Sequence, residues 1–450
     1  MIPLCKTVDP SLTEKSFPFR IATHPFWILP GELDFFNQLG NHLLSFYQAV
    51  NRLYLDPVTA PRWAKYLDAG KPLSVIEYGR MSLFADHLPS VIRPDLILTD
   101  PADGMAGMIA TELDSIPGGI GLTLEISHLY PDENLIGGQN GMRDGFSNMI
   151  RSLTEKPDPS LAIVVSEESQ SYFSEMDFLG KVLAEIGLKT FVVPPEALSF
   201  SKDGAFVSDC PIDVIYRFFE MFDLNNVPQS EQILQASQNH PIIVTPPPKA
   251  YLEEKMLLAL FHHPHLKSFW MDKMGQETVS FLGKLFPKTW ILDPRADPIP
   301  NLVVNGHLLS SFHALANLGQ KGRRFVIKPS GFSEMAWGSR GVRIGHDLSS
   351  AEWDDTVQMA LNNFDTTPHV LQPFHKGRRV KMEYIDDKTN LPVQMYGRVR
   401  LSPYYFVQKG GTHLGGILAT VCPLDKKLIH GMSDAIMAPC AIGERTDDTL

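Results

Sequence analysis

The stretch TELDSIPGGIG, Thr111 to Gly121, sets two acids two residues apart and follows them with a Pro-Gly-Gly bend. Side chains at i and i+2 of a strand leave the same face, so Glu112 and Asp114 project together. Such a pair suits a hard divalent cation, because Mg2+ takes a few carboxylate oxygens and completes its shell with phosphate and water. It equally suits a solvated strand face that ends in a tight turn. The surrounding sequence has to decide between the two.

Immediately upstream, RPDLILTD and GMIATELDS read as two strands joined by a DPADG turn. Before them, to about Tyr78, the chain reads as helical: ELDFFNQLGNHLLSFYQAVNRLYL carries apolar residues at helical spacing, and PRWAKYLDAG closes on a glycine. Downstream, Ser160–Thr245 alternates strand and helix. LAIVVSEE, KTFVVPP, PIDVIYRFF and PIIVTPPP are strands, FLGKVLAEIGL and SEQILQASQNH are helices, and KDGAF is a turn. Strands separated by single helices imply a parallel sheet. No G-x-G-x-x-G follows its first strand, which leaves a dinucleotide site there unsupported. From about Lys249, YLEEKMLLALFHH and GQETVSFLGKLF read as helices. RRFVIKPS, HVLQPF, RRVKMEYID and LPVQMYGRVRLSPYYFV read as strands of an antiparallel sheet with helices on one side.

The chain is long enough for two or three packed units: 450 residues, 44% hydrophobic and 20% charged, as in soluble globular proteins. A formal net charge of -11 argues against a general nucleic-acid or anionic-membrane surface. No stretch reaches the roughly 18 to 20 apolar residues that span a bilayer, and MIPLCKTVDPSLTEK lacks the form of a secretory signal. Cys5, Cys210, Cys422 and Cys440 are scattered without metal-ligand or disulfide-framework spacing, and a reduced, cytoplasmic setting is the expectation.

Four further segments carry chemistry. In RRFVIKPSGFSEMAWGSRGV, a β-branched strand ends at Lys328 and runs into a loop with Ser330, Gly331, Gly338 and Gly341. A lysine at a strand end beside exposed backbone N–H groups suits a phosphate chain, though the loop is not a Walker A motif; a surface hairpin with a solvated lysine is the competing reading. HVLQPF offers Gln372, Pro373 and Phe374 to an adenine edge, or is an ordinary core strand. Arg398 and Arg400 share one strand face, a pair that binds an anion or lies solvated on an exposed sheet. Arg217 sits in an apolar strand, where it needs either a substrate anion or a salt bridge, for instance to Glu220. FHHPH, with His262, His263 and His265, lacks an acidic or cysteine partner at metal spacing and reads as a charge-favoured helix C-cap.

In this order the segments resemble the circularly permuted ATP-grasp ligases, the group that includes eukaryotic-type glutathione synthetases and glutathionylspermidine synthetases. IRPDLILTD resembles the family's Arg-x-Asp strand, TELDSIPGGIG its acidic segment, IDVIYRFFE its arginine strand, and YLEEKMLLAL the helix with a first ATP-contacting lysine. VIKPSGFSEMAWGSRGV resembles the second lysine strand with its phosphate loop, and HVLQPF the adenine hinge. The acidic segment preceding both lysines is the permuted order.

The resemblance implies an α/β and α+β chain with a permuted ATP-grasp fold and an inserted parallel α/β substrate-binding subdomain. It divides the chain into a helical segment at 1–80, part of the ATP-grasp core with the acidic strand at 81–155, the parallel subdomain at 156–248, and nucleotide-binding lobes at 249–445. It implies ATP and Mg2+ as cofactors, with Glu112, Asp114 and Glu334 as metal ligands. Lys255, Lys328, Ser330, Gly331, Gly338, Gly341, Gln372, Pro373 and Phe374 would contact ATP. Arg93, Ser115, Gly118, Gly119, Tyr216 and Arg217 would bind substrate, with backbone N–H groups of the 117–119 bend near the acceptor. Arg217, Arg398 and Arg400 would act at the reacting end. The implied activity is a ligase joining a small acidic or peptide-like carboxylate to an amine, with a homodimer among the expected states and neither nucleic acid nor membrane as partner. Two alternatives stand beside it: an inactive relative that binds nucleotide or a partner, and an α/β binding or transferase protein that uses the Ser160–Thr245 sheet. Asp114 stands where the family commonly has asparagine, and Glu334 follows Lys328 by six residues, farther than the family's spacing.

Overall fold

The computed structural model describes residues 17–444 apart from 101–103, 105–106, 132, 297–301 and 337. Cys5, most of the DPADG turn, Trp337 and the end of the polar AIGERTDDTL tail lie outside the described residues.

An eight-stranded sheet forms the centre of the chain. Its order is Arg20–Ile21, Ile436–Ile442, Gly411–Pro423, Pro392–Gln408, Val91–Leu98, Met108–Asp114. Phe26–Ile28 adds to Ile436–Ile442, and Arg379–Ile385 pairs with the first half of Pro392–Gln408. The period-2 pattern of the long strand buries both of its faces. Val399, Leu401 and Tyr405 join one apolar core with the helices Pro30–Leu55 and Lys267–Leu285. Tyr404 and Phe406 join another with Ile120–Ser127 and Gly141–Ser152. Helices therefore cover both faces of this sheet rather than one side. The downstream strands, moreover, divide between this sheet and a smaller one.

Pro30–Leu55 is helical because Phe35, Phe36, Leu39, Leu43, Phe46, Tyr47, Val50, Leu53 and Tyr54 recur every three or four residues and are all buried. Pro30 occupies the first turn, and Glu32 accepts from the Leu29 N–H at 3.0 Å. Gly40 lets this helix lie against the sheet, since a Cβ there would stand 2.3 Å from Thr412 Oγ1 and 2.4 Å from the Tyr405 ring. Ala60–Asp68 and Leu73–Arg80 complete the helical segment. Residues 20–28 depart from the helical expectation, because RI and FWI pair in parallel with the last strand.

The Ser160–Thr245 stretch forms a four-stranded, wholly parallel sheet in the order Ile243–Thr245, Val214–Phe218, Leu161–Val165, Thr190–Val193. Its helices are Phe173–Glu185 and Ser230–Asn239. KDGAF turns out to be the tip of a hairpin in a separate three-stranded antiparallel sheet, Leu198–Ser201, Gly204–Val207 and Cys210–Ile212. A third lobe is an antiparallel sheet in the order Trp290–Ile291, His369–Pro373, Phe325–Pro329, Arg343–Ile344. Trp353, fully buried on the helix Ser350–Asn362, backs it and donates from Nε1 to Leu315 O at 2.7 Å.

YLEEKMLLALFHH is not one helix. A 3-10 turn at Ala250–Leu252 gives way to the helix Met256–Phe261, and Glu253, Glu254 and Lys255 fall in the break. Each of those three side chains consequently meets a different partner. Among the described residues no helix is long and apolar enough to cross a membrane, and Cys210, Cys422 and Cys440 are free.

Candidate active site

A cleft of about 1210 Å3 opens where the three sheets meet. One wall is Met108–Asp114, the edge strand of the large sheet. A second is the C-terminal side of the parallel sheet, where ligands of α/β folds gather. The third is the small antiparallel sheet with Lys328 and Gln372–Phe374.

The hairpin Val91–Leu98/Met108–Asp114 aligns Arg93 with Asp114 and Asp95 with Glu112, then skips Thr111 in a bulge. Bulges re-aim the backbone. Here the Thr111 carbonyl accepts from Lys328 Nζ at 3.3 Å, while its hydroxyl donates to Asp95 O at 3.2 Å. Lys255, arriving from the break before Met256–Phe261, places Nζ 2.7 Å from Glu112 Oε1 and 3.1 Å from Ala336 O. Lys255 and Lys328 thus converge beside Glu112 from separate segments. Burial pushes Lys328 down to about 8, aided by Lys255 and opposed by Glu112 and Asp95.

Arg93 holds the other end of the strand pair. Its guanidinium reaches Asp114 Oδ2 at 3.0 Å, Asp95 Oδ1 at 3.2 Å and the Gly118 carbonyl at 3.0 Å. Asp95 accepts also from Arg400 at 3.0 Å and from the Ser402 hydroxyl at 3.0 Å. Burial raises Asp95, but Arg400, Arg93 and Ser402 together outweigh it and hold the carboxyl below its usual range. For Asp114 burial wins over Arg93 and the Ile116 N–H, and the carboxyl is raised.

The 117–119 bend is tied into the protein at Gly118 and Gly119. The Gly118 carbonyl accepts from Arg93 and from the Tyr404 hydroxyl at 2.8 Å, and Gly119 N–H donates to Glu175 Oε1 at 2.7 Å. The Gly119 N–H is therefore not available to an acceptor substrate, while Ser115, Gly118 and Gly119 line the cleft.

Of the other expected residues, Gly331, Gly338, Gln372, Pro373, Phe374 and Arg400 also line the cleft. Ser330 does not: it is 3% exposed, donates its hydroxyl to Glu254 and accepts from Met256 N–H at 3.2 Å. Gly341 packs against Pro329 and the Met335 carbonyl. Tyr216 is buried in the core against Phe146. Arg217 is fully buried, with its guanidinium on Glu253 at 2.7 Å and on the carbonyls of Phe219, Pro246 and Pro247. Its partner is Glu253, not Glu220, and no cleft surface belongs to it. Arg398 lies away, bound to the Leu424 and Lys426 carbonyls at 2.5 and 3.3 Å.

Glu334 is exposed on the turn Glu334–Ala336 and does not line the cleft. Among the described residues no group of three His, Cys, Asp or Glu side chains is placed to hold a metal. Glu112 and Asp114 remain, each already facing a cation. That donor set fits a Mg2+ that arrives on nucleotide phosphates, which supply most of its oxygens. Two of the FHHPH histidines are neutral: burial pushes His262 and His263 to about 4, and His262 meets Phe286 O at 3.1 Å. Those two rings therefore bring no favourable charge to the helix end.

Glu175, Glu254 and Tyr404 were not singled out in the sequence, and Asp95 entered only as the aspartate of the Arg-x-Asp strand, without a role of its own. Asp95 had a usable signal, as it lies two residues from Arg93 on the same face of the same strand. Glu254 accepts from Ser330, from Gly331 N–H at 2.9 Å and from Lys71. It is recognisable only through those distant partners.

No family model and no curated protein matches the sequence. Among solved structures, a glutathione synthetase-like effector from Globodera pallida in its apo form aligns over 94% of this chain and 90% of its own, at 10% identity and a TM-score of 0.55. The chain therefore has a mixed α/β fold like that of a glutathione synthetase-like protein. A D-cycloserine synthetase aligns over 64% of this chain and 93% of its own, at 13% identity and a TM-score of 0.31.

Proposed function

We propose that the chain is an ATP- and Mg2+-dependent carboxylate–amine ligase of the circularly permuted ATP-grasp type, with residues 156–248 as the inserted substrate-binding subdomain. The observation that carries this reading is the meeting of Lys255 and Lys328 at the acidic edge strand, 2.7 Å from Glu112 and 3.3 Å from the Thr111 carbonyl respectively. Two ammonium groups beside a bulged acidic strand are what a triphosphate with its metal needs, because phosphoryl transfer is positioning and charge neutralisation. In the reaction a substrate carboxylate oxygen attacks the γ-phosphorus, the bond to the β-phosphate oxygen breaks, and ADP leaves. An amine nitrogen then attacks the acyl carbon, loses a proton, and releases phosphate as the amide forms. Mg2+ would be held by Glu112 and Asp114 and would supply charge neutralisation at the phosphates. Lys255 and Lys328 bind the phosphates, and the backbone from Gly331 to Gly341 excludes water from the acyl phosphate. Arg93 and Arg400, ordered by Asp95, orient the acid.

A non-catalytic, nucleotide-binding relative is the second reading, favoured by the exposed Glu334 and by the absence, among the described residues, of three acidic, histidine or cysteine side chains placed to hold a metal together. ADP release measured with Mg-ATP over panels of carboxylates, thiols, amino acids and polyamines separates them. The ligase reading expects amine-dependent ADP release that Lys328→Ala and Glu112→Ala each abolish. Near-wild-type turnover in either folded variant overturns it. Tight Mg-ATP binding with no ADP release from any pair selects the second reading, and no ATP-induced stabilisation at all removes both.

A further inference from the structure

Beside the large cleft lies a second cavity of about 430 Å3, walled in part by the same Phe374 and Lys427. Its charge is one-sided. Lys321, Arg324, Lys376, Arg398 and Lys427 are five of its nine lining residues, His346 also lines it, and no acidic side chain does. Across the chain fewer than one residue in ten is Lys or Arg, 40 of 450, and the net charge is -11. The concentration is therefore local and runs against the charge of the whole molecule.

The cations come from four separate places, and His346, which burial holds below its usual range, adds a ring rather than a charge. Lys321 and Arg324 precede the strand Phe325–Pro329, and His346 lies on the turn Gly345–Asp347. Lys376 joins His369–Pro373 to Arg379–Ile385, Arg398 is on Pro392–Gln408, and Lys427 follows Gly411–Pro423. Two are anchored: Arg398 by the Leu424 and Lys426 carbonyls, and Lys427 by Asp347. Among the described residues Lys321, Arg324 and Lys376 have no ion-pair partner. His346 Nδ1 is buried without a hydrogen-bond partner, and its ring stands 4.7 Å from that of Phe374. Like charges gathered around a concavity repel one another, and a bound anion relieves that repulsion.

We propose that this cavity is a separate anion site taking a small molecule with two or more phosphoryl groups. Its volume falls within the roughly 300–1,000 Å3 of small-molecule sites, too small for a nucleic-acid strand. The unpaired Arg324 guanidinium and the unpaired Lys321 and Lys376 ammonium groups, with Arg398 beside them, match phosphoryl oxygens, which accept more charge-assisted hydrogen bonds per group than a carboxylate does. The shared wall of Phe374 and Lys427 puts a ligand there next to the Gln372–Phe374 edge of the large cleft, and occupancy would bear on that edge. The site stands on its own cations and is independent of whether the large cleft turns over ATP.

The probe is inorganic pyrophosphate, titrated calorimetrically into the full chain at low ionic strength. A Lys328→Ala background suppresses phosphate binding in the large cleft. In that background pyrophosphate is expected to bind one site, and adding Lys321→Ala, Arg324→Ala and Lys376→Ala together should weaken it at least tenfold. Removing the same charge elsewhere, through exposed Lys202→Ala, Lys284→Ala and Lys388→Ala, should change it less than twofold. Loss of all binding in the Lys328→Ala background places the anion in the large cleft and overturns the proposal, as does equal weakening by both triple variants. Citrate binding as tightly as pyrophosphate overturns the assignment to phosphoryl groups.

Discussion

Glu175→Gln should change how stability depends on pH, and the size of the change follows from the site. Glu175 lies on the helix Phe173–Glu185, and its carboxyl accepts from Gly119 N–H at 2.7 Å and Leu122 N–H at 2.9 Å, at the start of Ile120–Ser127. Burial is the largest influence and outweighs these two bonds and the attraction of Arg93, so the group is pushed up to about 7 from an ordinary 4.5. Between those values the native chain holds a proton that the unfolded chain has lost. The stabilisation is therefore complete below about pH 4.5 and disappears as pH rises through about 7. The difference, about 7 less 4.5 at ~1.4 kcal/mol per pH unit, is worth about 3 kcal/mol.

Glutamine does not titrate, and it accepts through one oxygen only, so one of the two N–H donors loses its acceptor at a cost of about 1–3 kcal/mol at every pH. The absolute level of stability is therefore uninformative, whereas the slope is diagnostic. Urea unfolding of both proteins at pH 5, 6, 7 and 8 should show the wild type losing about 2.5 kcal/mol more than the variant across that range. Parallel curves would refute the reasoning, because they would mean that Glu175 is ionised in the native chain throughout.

Two further outcomes can be measured. Glu254→Gln leaves Lys71, whose side chain is 2% exposed, without its counterion and should cost about 3–5 kcal/mol in urea unfolding; Lys71→Met in the same chain should recover most of that loss, and strictly additive losses would rule out the pair as the cause. Burial pushes Lys328 down to about 8, so on the ligase reading Mg-ATP affinity measured by calorimetry should fall as pH rises from 7 to 9 and its ammonium is lost. Lys328→Arg, which keeps its charge over that range, should flatten the fall; an equally steep fall in both would show that another group controls it.

The elements were legible because each is written in its own period. Leu161–Val165 is a continuous apolar run and Val214–Phe218 is one broken by Arg217, and both are buried at every position, as a sheet covered on both faces requires. Sheet membership was less legible, because pairing joins residues far apart in sequence. Phe325–Pro329 and Arg379–Ile385 look alike as strands and belong to different sheets. The same distance hid the groups that organise the cleft. Asp95 acquires its partners 305 and 307 residues away, at Arg400 and Ser402, and Glu175 caps a bend 56 residues before it.

Arg398 and Arg400 show why a shared face does not mean a shared site. The period-2 rule places both on one side of Pro392–Gln408, and both pair across to Gly411–Pro423, opposite Cys422 and Thr420. On the other flank the neighbour changes between them. Arg398 stands opposite Arg379 of Arg379–Ile385, whereas Arg400 stands opposite Ile97 of Val91–Leu98. The first flank brings another cation, while the Leu424 and Lys426 carbonyls reach Arg398 from just beyond Gly411–Pro423; the second brings Asp95, set beside the acidic edge strand. One strand thus serves two cavities, with the boundary where its partner strand switches. Direction is a local property that the sequence carries, and environment is a property of the neighbouring strand. The two arginines therefore part at Val399, one lining the basic cavity and one the large cleft.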